Sequence, residues 1–130
     1  MFNVSMIVRD CGNTAVVALR GELDIADAAE VAAALMAAAV GRTETVVDLA
    51  GLAFLDCSGV AALVRARTQV RRAGGVLLLA SPQRRVLRVI ALTGLIDIAD
   101  IHDSIEDATD MARRAARPPW LSELRATKTA

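Results

Sequence analysis

Phe54-Leu55-Asp56-Cys57-Ser58-Gly59-Val60 joins two apolar segments of different kinds. Upstream, across a short loop, residues 46–49 form a compact apolar run that predicts a buried strand. Downstream, residues 60–73 carry apolar side chains at helical spacing and stop at Gly74-Gly75, which predicts a long helix with a clear end. Ser58 therefore falls where a loop becomes a helix. A serine at that point is expected to act as the N-cap, its hydroxyl accepting from a free N–H of the first turn. The first-turn N–H groups and the helix dipole also favour an anion there, so a phosphate ester on Ser58 is compatible with the helix. Capping alone accounts for a serine at this place, and a switching role needs a second signal.

The remaining order of elements alternates. Phe2, Val4, Met6 and Val8 read as a half-buried strand, Asp10-Cys11-Gly12-Asn13 as a turn, and residues 15–19 as a buried strand. Asp27, with Glu30 three residues on, predicts a helix start; Val31, Leu35 and Ala39 share one face of that helix, and Gly41 stops it. Residues 76–79 predict a strand. Ser81-Pro82 predicts the start of a helix that Gly94 ends. Ile96, Ile98 and Ile101 predict a last strand region, and Ser104 with Asp107 a final helix ending near Ala116. Strands alternating with helices imply an α/β fold: a mostly parallel sheet, its first two strands a hairpin, packed against about four helices.

The second signal is Gly21-Glu22-Leu23-Asp24, at the end of the strand before the first helix. Together with Asp56-Cys57-Ser58-Gly59, and in this order, it resembles the STAS domain in the branch of anti-sigma factor antagonists. Members of that branch carry a Gly-x-Leu/Ile-Asp segment after the second strand, and an Asp-x-Ser-Gly segment whose serine opens a helix. The resemblance extends over residues 2–116, taken as a single domain. It implies a partner switch. The unphosphorylated protein binds an anti-sigma factor, usually a serine kinase, and frees the sigma factor. The kinase phosphorylates the serine and the complex dissociates, and a phosphoserine phosphatase resets the system. Carried over by position, Ser58 is the phosphoacceptor, Asp56 and Gly59 shape its loop, and Asp24 is the neighbouring acid of the docking surface. Cys57 stands where the family often has Ser or Thr. It is expected to be a small, buried or half-buried filler, with redox sensitivity the lesser alternative. The rival reading is a STAS scaffold, or a small-ligand-binding regulatory module, that is not phosphorylated.

Composition narrows the field. The chain has 130 residues, 55% of them hydrophobic and only 2% aromatic, enough for one aliphatic core. The net charge of +0 exerts no general pull toward nucleic acid or membrane. Cys11 and Cys57 lack metal-ligand spacing, and no metal or other cofactor is expected. No basic-then-apolar leader opens the chain, and the apolar run at residues 31–40 is too short to span a bilayer, so a soluble cytoplasmic protein is expected. An enzyme is not expected. Ser58 has Asp56 and Val60 where a nucleophile elbow has glycines, His102 is the only histidine, and Gly74-Gly75 lacks the residues of a phosphate loop.

The net charge conceals a segregation. Residues 57–96 contain no acid but seven arginines: Arg65, Arg67, Arg71, Arg72, Arg84, Arg85 and Arg88. Residues 97–110 contain six acids. Solvated helix faces explain such runs as readily as a docking surface does. With one lysine and no interleaved aromatics, nucleic acid is a poor fit. Arg117-Pro118-Pro119 breaks helix, and residues 117–130 are expected to form a disordered tail.

Overall fold

A computed structural model describes residues 3–93 and 101–109. The strands are β1 (Val4–Cys11), β2 (Thr14–Leu23), β3 (Glu44–Leu55), β4 (Val76–Ala80) and β5 (Ile101–His102). Between them run α1 (Ile25–Ala39), α2 (Cys57–Arg72) and α3 (Arg84–Leu92). Residues 105–109 open a further helix, α4. The expected strand residues Phe2, Ile96 and Ile98, the stop at Gly94, the end of the last helix near Ala116 and the tail at 117–130 lie outside the described residues.

The five strands form one sheet in the order β1-β2-β3-β4-β5. β1 and β2 are antiparallel and joined through Gly12 and Asn13, and every later pair is parallel. Parallel neighbours taken in chain order, with right-handed crossovers, place the connecting helices on one face of the sheet. The core follows that rule. Val17, Leu19, Val47, Leu49, Leu77 and Leu79 pack with Val31 and Leu35 of α1, Leu63 and Val70 of α2, and Val86 and Ile90 of α3. The alternate residues of the strands, Val16, Val46, Leu78 and Ala80, form a smaller cluster with Ala108 and Ile105 on the other face. Burial on both faces is why these strands read as continuous apolar runs rather than as alternation.

Two strands are longer than their sequence predicts. β3 runs to Leu55 and leaves no loop before Asp56. Its second half escapes a period-two pattern because the register with β2 shifts twice, between Ala18 and Arg20 and between Gly21 and Glu22. At each shift β3 carries one residue more than β2, so inward and outward positions change places. β2 likewise continues past the apolar run to Leu23. α3 begins at Arg84 rather than at Ser81-Pro82. Ser81 has φ +58° and donates its hydroxyl to the Asp103 carbonyl at 3.2 Å, so it serves the β4 exit and not a helix cap. Gly41 and Gly74, at φ +73° and +89°, end α1 and α2 as expected.

Gly21 is the tightest point of the hairpin. Its φ is +102°, and a Cβ there would lie 2.1 Å from the Asn3 carbonyl oxygen, which accepts from the Glu22 N–H at 2.8 Å. Gly21→Ala is therefore expected to destabilise the fold by about 2 kcal/mol or more, combining backbone strain with overpacking. Urea unfolding measures this, and a midpoint equal to that of the parent would contradict it.

Candidate functional site

β2 and β3 end abreast. Leu23 lies opposite Leu55 in the parallel register, both are buried, and each is followed by an aspartate. Each aspartate caps a helix. Asp24 is extended, and its Oδ1 accepts from the Ala26 N–H at 3.0 Å, so α1 starts here and not at Asp27. Asp27 instead lies one turn in, buried, and accepts from the Asn3 N–H at 3.3 Å. Asp56 is the N-cap of α2, its Oδ1 accepting from the Gly59 N–H at 2.9 Å. The Asp56 N–H donates to the Leu23 carbonyl at 3.3 Å, which ties the two strand ends together at the caps.

Ser58 is consequently not the cap. It is the second residue of α2, half-buried, and its hydroxyl donates to Asp56 Oδ1 at 2.5 Å. The sequence offers two capping residues two positions apart. The chain uses the aspartate because β3 runs straight to Leu55, so the first residue free to leave the strand is Asp56. Cys57 is exposed, contrary to the buried or half-buried filler expected. Gly59 is buried by close approach: a Cβ on it would meet Leu55 Cδ1 at 2.8 Å, Leu23 Cγ at 3.0 Å and the Leu23 carbonyl oxygen at 3.1 Å. Asp24, Asp56, Cys57, Ser58 and Gly59 thus gather at one rim, the carboxyl ends of β2 and β3.

Sequence reasoning missed two members of the rim. Ile25 is 80% exposed at the first position of α1, and Phe54 is 46% exposed, opposite Glu22 in the register. No residue-level signal marks them, since an apolar side chain turned outward has the same letter as a buried one. His102 stays apart. It lies in β5, two strands across from β3 and so roughly 10 Å away by sheet spacing alone, which does not make a pair with Ser58. Among the described residues no helix is long and apolar enough to cross a membrane, and no cluster of His, Cys, Asp and Glu is placed to hold a metal.

The electrostatics of the rim centre on Asp56. The Ser58 hydroxyl holds its carboxyl below the ordinary carboxylate range. Partial burial opposes this, and the N–H groups of Gly59 and Ser58 reinforce it. The positive end of α2 is therefore already occupied by a built-in anion.

The rim of this sheet thus gathers a hydroxyl and two capping carboxylates at the ends of adjacent strands. The chain belongs to the STAS domain family: residues 5–108 match the family model described as STAS domain. It is similar to the anti-sigma-F factor antagonist RsfA of Mycobacterium tuberculosis, 34% identical over 92 residues, 68% of this chain and 72% of that one. It is also similar to the anti-sigma-B factor antagonist of Bacillus subtilis, 28% identical over 99 residues, 76% of this chain and 91% of the other. Among solved structures, an anti-sigma factor antagonist from Mycobacterium paratuberculosis superimposes with TM-score 0.75 at 25% identity, covering 85% of this chain and 94% of that one.

Two measurements test the rim. Asp56 has a depressed pKa in the fold, so its contribution to stability is present above the ordinary carboxylate value and is lost as pH falls through the lowered one. Asp56→Ala is expected to cost about 1 kcal/mol at pH 7, and the gap to the parent should begin to narrow below about pH 4 and go on narrowing as pH falls through the lowered value. Ser58→Ala should raise the Asp56 titration midpoint, followed by NMR of the side-chain carboxyl. An unmoved midpoint would refute the dominance of the Ser58 hydrogen bond.

Proposed function

We propose that this chain is an anti-sigma factor antagonist that works by partner switching, with Ser58 as its phosphoacceptor. The observation that carries the reading is the Ser58 hydroxyl, half-exposed on a rim with Asp24 and Asp56, in a chain similar to proteins named as such antagonists. In the unphosphorylated state the rim presents a small neutral hydroxyl bonded to Asp56. The anti-sigma factor docks over Asp24, Asp56 and Cys57, with the buried Gly59 holding the loop beneath them, and releases its sigma factor. The chain performs no chemistry of its own and acts by binding in the cytoplasm.

Phosphorylation changes the rim locally. The partner kinase transfers the γ-phosphoryl of ATP: the Ser58 Oγ–P bond forms, the bond to ADP breaks, and the hydroxyl proton leaves to a base. The ester oxygen has no hydrogen to donate, so the bond to Asp56 is lost. A group of roughly −1.5 to −2 charge then stands beside a carboxylate that already fills the helix terminus. The two repel, and the phosphate projects outward into the docking surface. A partner matched to a hydroxyl must desolvate a dianion and loses affinity. A phosphoserine phosphatase hydrolyses the ester and restores the hydroxyl.

The test is incubation with ATP and each serine-kinase anti-sigma factor of the genome that encodes this chain, followed by phosphosite mapping. Phosphate is expected on Ser58. Ser58→Ala should remain unmodified, keep anti-sigma binding and cost about 0.5–1 kcal/mol, since Asp56 retains the cap. Ser58→Glu should weaken binding about tenfold or more with an unchanged circular dichroism spectrum. Phosphate on Ser81 or Ser104 would overturn the assignment. Tight binding with no phosphate anywhere would favour the unphosphorylated scaffold.

A further inference from the structure

The arginines of α2 do not form the single face that their sequence run suggests. At about 100° per residue, Arg65 and Arg72 fall within roughly 40° of Ser58 around the helix, whereas Arg67 and Arg71 lie on the far side. Burial agrees for Arg67, which is half-buried. Ser58, Ala61, Arg65, Thr68 and Arg72 form one stripe along α2, half-exposed at Ser58 and exposed at the other four. It extends about 21 Å from the phosphoacceptor to the last turn, with Arg65 midway.

Nothing in the described structure neutralises this stripe. Neither Arg65 nor Arg72 has an ion pair among the described residues. The neighbours of Arg65 one turn either way are Ala61, Ala62, Thr68 and Gln69, so no carboxylate stands at helical pairing distance. No acid occurs anywhere from Cys57 through α3. The helix dipole accounts for a cation at Arg72, in the last turn, but not for Arg65 in the middle.

We infer that the stripe of α2 running from Ser58 through Arg65 to Arg72 docks an acidic surface of the anti-sigma factor, whose carboxylates pair with the two guanidinium groups. The inference rests on the proposed function. Arginine presents a planar fork that suits carboxylates, and the stripe has no exposed aromatic on which a base would stack. The arrangement also gives the switch its sign. A phosphate on Ser58 puts negative charge at one end of a surface that attracts an acidic partner, so modification cancels part of the attraction as well as blocking contact.

The experiment measures association of the full chain with each purified anti-sigma factor of its genome across a salt series, by stopped flow. The variants are R65E/R72E, the off-stripe control R84E/R85E on α3, and S58E. The double reversal on the stripe should slow association at low salt roughly tenfold or more, flatten its salt dependence and leave the thermal melt nearly unchanged. The α3 control should slow it by less than about threefold. Equal slowing by both reversals would overturn the stripe in favour of general charge attraction. Unchanged association with R65E/R72E, while S58E still weakens binding, would overturn this inference and leave the proposed function standing. Unchanged binding by both, or binding to none of the anti-sigma factors, would overturn the proposed function with it. Salt-sensitive binding to duplex DNA that R65E/R72E abolishes would replace the acidic protein with a nucleic acid.

Discussion

The pairing of Leu23 with Leu55 is the contact on which the site depends. Both side chains are buried, and the parallel register sets them side by side at the carboxyl ends of adjacent strands. Because the next residue of each strand is an aspartate with extended backbone, the same register places two helix caps abreast. Gly59 completes the closure. It brings the first turn of α2 against Leu23 and Leu55 at a separation that a methyl group would not allow. The two short motifs, more than thirty residues apart in the chain, meet because the core beneath them is shared.

That geometry decides which residue caps α2, and the consequence is chemical. A serine cap carrying a phosphate would seat the anion in the helix terminus. Here Asp56 already holds the Gly59 N–H and accepts the Ser58 hydroxyl. A phosphate on Ser58 competes with that carboxylate rather than replacing it, so the added charge is turned toward solvent and partner. A signal of this kind requires no refolding of the sheet, which remains packed on both faces. On the proposed reading, the change stays at the rim.

Much of the architecture was legible along the chain. The strands around Val17, Val47 and Leu78 are buried on two faces, and continuous aliphatic runs report that directly. The glycines after α1 and α2 mark their ends because only a residue without Cβ takes their positive φ readily. The second half of β3 was not legible. Two added residues relative to β2 break its alternation, and residues 50–53 therefore read as loop. Ile25 and Phe54 were likewise hidden, since an apolar side chain turned outward has the same letter as one turned inward.

The sequence by itself determined the alternation of strands and helices, the membership of Ser58, Asp56 and Asp24 in two recognisable segments, and the absence of acids through α2 and α3. Those properties are local in the chain: periodicity, residue type and short spacing contain them. Only the tertiary structure decided that Asp24 and Asp56 cap adjacent helices, that Ser58 donates to Asp56 instead of capping, and that Cys57 is exposed. Each of these depends on where β3 ends and how it registers with β2. Register is a relation between distant segments, set by burial of Leu23 against Leu55, and no window of sequence contains both.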